Sequence, residues 1–202
     1  MKKLKDKKRA LVVVAHPDDE TIWMGGTILK NQKVNWTIFS LCRRSDKDRA
    51  PKFFKVCKYY KAKAIMTDLD DEDKLTIKQT TPVIKNLVLE KIGNKKFDYI
   101  FFHGRNGEYG HDRHIGVHEA VYGLIQDKKL NPSEGAICFN YRKIGKYKLA
   151  PKKASDLIIK LTKKEFERKK KVMTNIYGFD PKGIDTNLCT NKEGFKIIKM
   201  SS

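Results

Sequence analysis

Acidic residues are in short supply in this chain. Only 24 Asp and Glu stand against 44 Lys and Arg, which leaves a formal charge of +20. A charge of that size attracts polyanions and acidic surfaces through a long-range field. The basic residues are mostly Lys and are scattered, with the densest runs at residues 2–9 and 163–171. No RNP, zinc-finger or other nucleic-acid pattern accompanies them. The excess is therefore read as solvated surface, with no specific nucleic-acid partner but a bias toward phosphorylated or nucleotide-linked substrates. Cysteine is also scarce. Cys42, Cys57, Cys138 and Cys189 contain no C-x-x-C spacing, which excludes a paired-cysteine metal or redox motif and suits a reducing compartment. Long apolar runs are missing too. Residues 1–10 have the basic start of a signal peptide, but the apolar run behind them spans only residues 11–15 before His16 and Pro17 interrupt it, too short for a signal. Nothing approaches the ~20 apolar residues of a membrane span, so the cytoplasm is the expected location. Gly25-Gly26 belongs to no G-x-G-x-x-G or P-loop pattern, and no nucleotide cofactor is expected.

What is present reads as strands alternating with helices. Residues 11–15 form a continuous, largely β-branched run, suited to a strand buried on both faces. Helical character follows over 20–32, weakened by Gly25 and Gly26. Strands are predicted at 35–42, 62–69, 97–103, 135–141 and 157–161, and helices at 48–61, 81–92, 113–128 and 163–175. Thr81-Pro82 is taken as the start of the third helix, with Thr as its N-cap, and Thr162 as the cap of the last. This order implies an α/β fold of βαβ units, Rossmann-like, with a mainly parallel sheet covered by helices on both faces. With no repeat or linker, the 202 residues are read as one domain, with a basic segment at 1–9 and a tail of uncertain structure at 178–202.

In such folds, sites form at the carboxyl ends of strands. Two polar clusters fall there: His16-Pro17-Asp18-Asp19-Glu20 after the first strand, and the segment from Gly107 to His114 after the fourth. A catalytic zinc needs three His or carboxylate ligands plus a water. His16 and Asp19, three apart, can aim at one point, and His114 can complete the set. Asp18 lies between the first two and can take a proton from the water. A protonated His111 can donate to the oxyanion or the leaving amine, and Tyr109 can hydrogen-bond the same oxygen. His118 shares a helix face with His114, but Ile115 stands where a metalloprotease helix carries Glu. His118 is therefore read as a supporting residue, and His103 as structural or a supporting donor. Glu20 either orients a ligand or is a first-turn acid favoured by the helix dipole. Asp68, Asp70, Asp71 and Asp73 lack the glycine and spacing of a calcium loop and read as a solvated acidic run.

The stretch Ala15-His16-Pro17-Asp18-Asp19-Glu20 resembles the A-H-P-D-D-E signature of the PIG-L-type, LmbE-like zinc-dependent deacetylases. Gly107-Glu108-Tyr109-Gly110-His111, followed by His114, resembles that family's second motif, about ninety residues on. The resemblance implies a Rossmann-like fold, one zinc ion per chain (other divalent ions being possible) and removal of an N-acetyl group from an N-acetylglucosamine-type sugar or conjugate. By motif position it makes His16, Asp19 and His114 the metal ligands, Asp18 the general base, His111 the transition-state residue and Tyr109 an oxyanion contact. It also implies a sugar-contacting arginine among Arg43, Arg44 and Arg49, with Arg44 and Arg49 carried forward as candidates. One departure stands out. The family places Asp directly before the motif's final His, whereas this chain has Arg113 there and Asp112 one position earlier. The carboxylate that orients a ligand is thus expected to be missing or moved.

Two other functions compete with deacetylation. One is a zinc amidase acting on a larger thiol or peptide conjugate. The other is a basic binding protein that keeps the fold without catalysis, which the intact set of His16, Asp18, Asp19, His111 and His114 argues against. If the charge is solvated surface, binding to duplex DNA will be weak and steeply salt-dependent. A tight, sequence-selective complex in a gel-shift titration at physiological salt would contradict that reading.

Overall fold

The computed structural model describes residues 4–71 and 75–199. Lys2 and Lys3 of the basic N-terminal run and Asp73 of the acidic run lie outside them. The main sheet has seven strands in the order β3-β2-β1-β4-β5-β9-β8. These are β1 (Arg9–Val14), β2 (Asn35–Cys42), β3 (Lys63–Leu69), β4 (Tyr99–Phe102), β5 (Gly135–Phe139), β8 (Leu157–Lys160) and β9 (Lys192–Ile198). The first five in that order pair in parallel, while β9 runs antiparallel to both β5 and β8. The fold is the expected α/β sandwich.

Alternate residues of β1 feed two cores. Ala10, Val12 and Val14 pack with α1 (Asp19–Lys30) and α2 (Arg49–Tyr59) on one face. Leu11 and Val13 pack with α3 (Ile77–Ile92) and α5 (Asp112–Gln126) on the other. All five are fully buried, which is why this strand reads as an unbroken apolar run. The chain builds outward from β1 through β2 to β3, then returns to place β4 on the other side of β1. The order therefore reverses between β1 and β4, and a crevice opens at their carboxyl ends.

Three features depart from the sequence-based expectation. First, α3 starts at Ile77 rather than at Thr81-Pro82. Thr76 and Gln79 close a reciprocal capping box there, which satisfies two helix-end donors at once. Pro82 sits inside the helix. Its missing N–H leaves unpaired only the carbonyl of Lys78, an exposed residue open to water. Second, the last helix, α6 (Lys163–Lys171), has the expected Thr162 cap but continues as a π-helical turn, Val172–Tyr177. Third, the tail that resisted reading carries α7 (Ile184–Leu188) and β9, a strand held between two others. A separate hairpin, β6 (Tyr141–Gly145) with β7 (Lys148–Pro151), stands off the sheet after β5.

The tail strand also repairs α1. That helix is broken at Met24, whose backbone is non-helical (φ −147°, ψ 17°). The break lies beside the Gly25-Gly26 pair and creates an internal helix start with free N–H groups. Glu193 of β9 accepts from Gly26 N–H at 2.8 Å and from Thr27 N–H at 2.7 Å. It also pairs with the buried Lys169 at 2.7 Å. A carboxylate at a helix N-terminus is favoured by the dipole, and here it is also the partner of a fully buried cation. Glu193→Leu should therefore lower stability by about 3–5 kcal/mol, the usual cost of stranding a buried charge. Denaturant unfolding would measure this, and a loss below about 1 kcal/mol would show that Glu193 does not hold α1.

Candidate metal centre

The crevice between β1 and β4 is stitched shut at its base. The Ala15 N–H donates to His103 Nε2 at 3.1 Å. The Nδ1 of His103 lies 2.8 Å from Glu108 Oε2, and the Nδ1 of His114 lies 2.7 Å from the same oxygen. A carboxylate only accepts, so both rings carry their proton on Nδ1. His103 Nε2 is then used by the Ala15 N–H, while His114 Nε2 is left bare. Glu108 Oε1 takes the Gly104 N–H at 2.6 Å. Burial opposes its charge, but His103 and His114 hold the carboxyl down at about 2. Glu108 sits in α4 (Gly107–Gly110), a short irregular turn in which Gly107, Glu108 and Gly110 all have positive φ. The flanking glycines adopt such angles freely, and Glu108 is held at φ 57° by the three donors on its carboxylate.

His16 is oriented in the same manner from the other side. Its Nε2 meets Asp71 Oδ1 at 2.5 Å, and Asp71 is in turn held by Arg43 Nε at 2.6 Å. The Nδ1 of His16 is thereby turned toward Asp19 Oδ2, 3.2 Å away, and toward His114 Nε2, 3.4 Å away. Asp19 Oδ2 is also 3.4 Å from His114 Nε2. Trp23, one turn along α1, holds the other Asp19 oxygen with its indole N–H at 2.8 Å. Three atoms able to bind a cation thus converge at one point, and in the protein alone the imidazole–carboxylate contacts among them are hydrogen bonds. Burial opposes a charge on His16, yet Asp19 and Asp71 lift its pKa to about 9. Burial also opposes ionisation of Asp19, yet His114 and His103 hold its carboxyl well below the usual range.

The spacing suits a metal. Two donors at about 2.0–2.1 Å from one tetrahedral zinc stand about 3.3–3.4 Å apart, close to all three separations here. Donor atoms of His16, His111 and His114 also lie within 4.8 Å of one another, as do those of Asp19, His103 and His114. The second of these sets would hold a divalent ion only at the cost of a local hydrogen bond. His103 would have to give up the Ala15 N–H, whereas His16, Asp19 and His114 would exchange only the contacts they make with one another.

The remaining expected residues fall around a cavity of about 260 Å³ that Asp18, Tyr109, His111, Arg43 and Arg49 help to line. Asp18 caps α1 with a left-handed backbone, φ 119° and ψ −30°. Burial raises its pKa well above the carboxylate norm, as do Asp19 and Glu20, while Arg49 at 3.7 Å opposes the shift. The Nδ1 of His111 accepts the Arg113 N–H at 3.2 Å, so its Nε2 bears the ring proton. Burial, then His114 and His16, push its pKa down to about 4. With Nδ1 engaged by the Arg113 N–H, Nε2 is the atom of His111 left to serve as a donor. Tyr109 packs edge-on against His111 and His114, and burial raises its hydroxyl pKa above the norm.

Arg44, expected at the substrate, lies over the ring of Phe54 at 5.1 Å and does not line the cavity. Arg43 takes that place, because its backbone turns through φ 68° and throws successive side chains apart. Arg49 does reach the cavity, braced over Phe179 at 4.3 Å. His118 touches the site through the His103 carbonyl, to which its Nδ1–H donates at 2.9 Å. Glu20 accepts the Asp18 N–H and the hydroxyls of Thr21 and Tyr177, so it steadies the turn rather than reaching the cavity. The acidic run is not a plain solvated loop: Asp68 caps Ser45, Asp70 pairs with Arg113, and Asp71 holds His16. No carboxylate directly precedes His114; Glu108 meets its Nδ1 instead, while Arg113 is buried and reaches the Asp70 and Leu75 carbonyls.

Residues 11–125 match the family model described as PIG-L, GlcNAc-PI de-N-acetylase. The chain belongs to the PIG-L family. Solved structures with the same fold include the antimicrobial pseudoaglycone deacetylase Dbv21, with TM-score 0.72 and 11% identity, covering 98% of this chain and 100% of that one. The N,N'-diacetylchitobiose deacetylase of Pyrococcus horikoshii has TM-score 0.62 and 18% identity, covering 97% and 85%. A third is the 4-carboxy-2-hydroxymuconate hydratase of Pseudomonas putida, with TM-score 0.64 and 13% identity over 96% and 98%. At these identities the structures speak to fold alone, and the PIG-L architecture carries more than one chemistry.

The left-handed Asp18 gives this PIG-L chain a measurable signature. A non-glycine residue held there stores about 1–3 kcal/mol. Glycine would release it, less about 0.5–1 kcal/mol of chain entropy. Asp18→Gly should raise the melting temperature by about 2–4 °C while removing any activity that depends on the carboxylate. A lowered melting temperature would show that the turn is not strained.

Proposed function

We propose that this chain is a metal-dependent hydrolase that removes the N-acetyl group from an N-acetylglucosamine-type sugar or sugar conjugate. The observation that carries the proposal is the convergence of His16 Nδ1, Asp19 Oδ2 and His114 Nε2 at 3.2–3.4 Å, with Asp18 and His111 beside them on one cavity. These three residues would hold the ion, taken to be zinc. When bound, it would lower the pKa of a water to about 7 and polarise the acetamide carbonyl.

The rest of the work falls to the chain. Asp18, poised at the cavity wall, takes the proton of the water that attacks the amide carbon. His111 and Tyr109 line the same cavity, where the Nε2–H of the one and the hydroxyl of the other stabilise the developing oxyanion. The C–N bond then breaks, acetate leaves, and the proton taken by Asp18 passes to the sugar nitrogen. Arg43 and Arg49 offer cationic donors to sugar hydroxyls or to a charged substituent. Asp71 and Glu108 act through the histidines they orient. The four cysteines are buried and free, which supports a cytoplasmic setting as part of the same proposal.

The decisive measurements are metal content and acetate release, taken together on four variants with free, nucleotide-linked, lipid-linked and oligomeric N-acetylglucosamine. Asp18→Asn should keep its metal and lose about 10²–10⁴ in turnover, the range for removal of a general base. His111→Ala should behave similarly. Asp19→Asn and His114→Ala should lose metal. Metal lost from Asp18→Asn but kept, with activity, in Asp19→Asn would reverse the assignment. Because the same fold serves a hydratase, acetate itself must be the product detected.

A further inference from the structure

The cavity at the metal centre does not end there. A second cavity of about 220 Å³ adjoins it and shares Tyr109, Asp185 and Leu188 as common walls. Its far side is the β6–β7 hairpin, which contributes Lys143, Lys146 and Lys148. The three are exposed, and none has an ion-pair partner among the described residues. Asp185 is the one carboxylate on that wall, so the lining carries three positive charges against one negative. The floor is apolar, from Leu149, Tyr147 and Ile184. Ile184 and Tyr147 remain 48% and 41% exposed, so an apolar group entering the cavity would find surface to cover.

The hairpin is held in place relative to the metal centre. At its root, Tyr141 is buried and donates its hydroxyl to the Trp23 carbonyl at 2.7 Å. Trp23 is the residue that holds Asp19. Asn106 bridges the Glu108 and Tyr141 carbonyls with its amide at 3.0 and 3.1 Å. The lysines are therefore carried on a strand pair anchored to the two elements that hold the ligand residues. A ligand that extends out of the first cavity would enter the second past Tyr109, Asp185 and Leu188.

We propose that the cleft between the hairpin and α7 is a subsite for a phosphate or diphosphate ester carried by the acetamido sugar, bound by Lys143, Lys146 and Lys148, with Tyr147 and Ile184 covering the apolar part beyond it. The inference rests on the deacetylase reading for the identity of the sugar, but the anion site is a property of the hairpin. Ammonium groups bind phosphate oxygens through charge-assisted hydrogen bonds, and lysines with no carboxylate partner have no internal ion pair to give up. The scattered surface charge described from the sequence thus contains one local, functional cluster.

The test compares the wild type with the triple variant Lys143→Gln/Lys146→Gln/Lys148→Gln. A second triple variant, Lys95→Gln/Lys96→Gln/Lys129→Gln, removes the same charge at the opposite end of the strands and controls for the general field. Acetate release is measured on N-acetylglucosamine, N-acetylglucosamine 1-phosphate, UDP-N-acetylglucosamine and N-acetylglucosaminyl phosphatidylinositol in mixed micelles. Binding of UDP and of inorganic phosphate is measured by calorimetry. The wild type and the control should favour phosphate-bearing substrates in kcat/KM. The hairpin variant should lose that preference, roughly tenfold for each charged contact removed, through KM rather than kcat. Which phosphate-bearing substrate loses most identifies the source of the phosphate. Lysine-dependent UDP or phosphate binding without acetate release from any sugar would leave the subsite standing and fell the deacetylase reading. Acetate release with the same substrate preference in wild type and hairpin variant would overturn the subsite and leave the deacetylase reading intact.

Discussion

The buried carboxylate of Glu108 is the interaction on which the site depends. It accepts from the Gly104 N–H and lies within hydrogen-bond distance of both the His103 and the His114 Nδ1. A fully buried carboxylate must be surrounded by donors or charge to remain ionised, and these three meet that need. In return it sets two tautomers. One turns the His103 ring to accept from Ala15, which ties β4 to β1. The other exposes His114 Nε2 to Asp19 and His16. The backbone pays attention to the same demand: a Cβ on Gly104 would lie 2.3 Å from the Phe139 carbonyl oxygen, so only glycine allows the chain to turn beneath Glu108.

A second set of supports works from behind. The start of α1 places Asp18 and Asp19 at the crevice, and the break further along that helix is sealed by Glu193 from the last strand. Glu20 receives the Tyr177 hydroxyl from the π-helical turn. Thus the C-terminal third of the chain, which contributes few groups to the cavity, stiffens the turn that contributes the most. On the opposite side, Arg113 and Arg43 draw the segment after β3 inward through Asp70 and Asp71. The result is an acidic, desolvated pocket within a strongly basic protein. Buried carboxylates that outnumber their fixed cations favour a bound divalent ion.

Much of this was legible from residues alone. The Val-rich β1, the cap at Thr162 and the alternation of strands and helices are local signals, and they recover the parallel half of the sheet. The grouping of His16, Asp18 and Asp19, and that of His111 and His114, were equally legible, because the members of each group lie within about one turn of one another. Elsewhere a local signal was outweighed. Thr81-Pro82 looked like a helix start, but the reciprocal Thr76–Gln79 box satisfies more donors and moved the boundary one turn earlier.

What sequence by itself determined is therefore which residue types meet, and at which strand ends. What only the tertiary structure decided is their orientation and support. Arg43 rather than Arg44 faces the cavity because one backbone angle, φ 68°, sets the direction of both side chains. Glu108 meets the Nδ1 of His114, which no carboxylate directly precedes, and Asp71 orients His16 across 55 residues of chain. The tail became a central strand through pairing with β5 and β8, contacts that have no local sequence period. Direction and long-range pairing arise from packing among distant segments, so no window of sequence contains them.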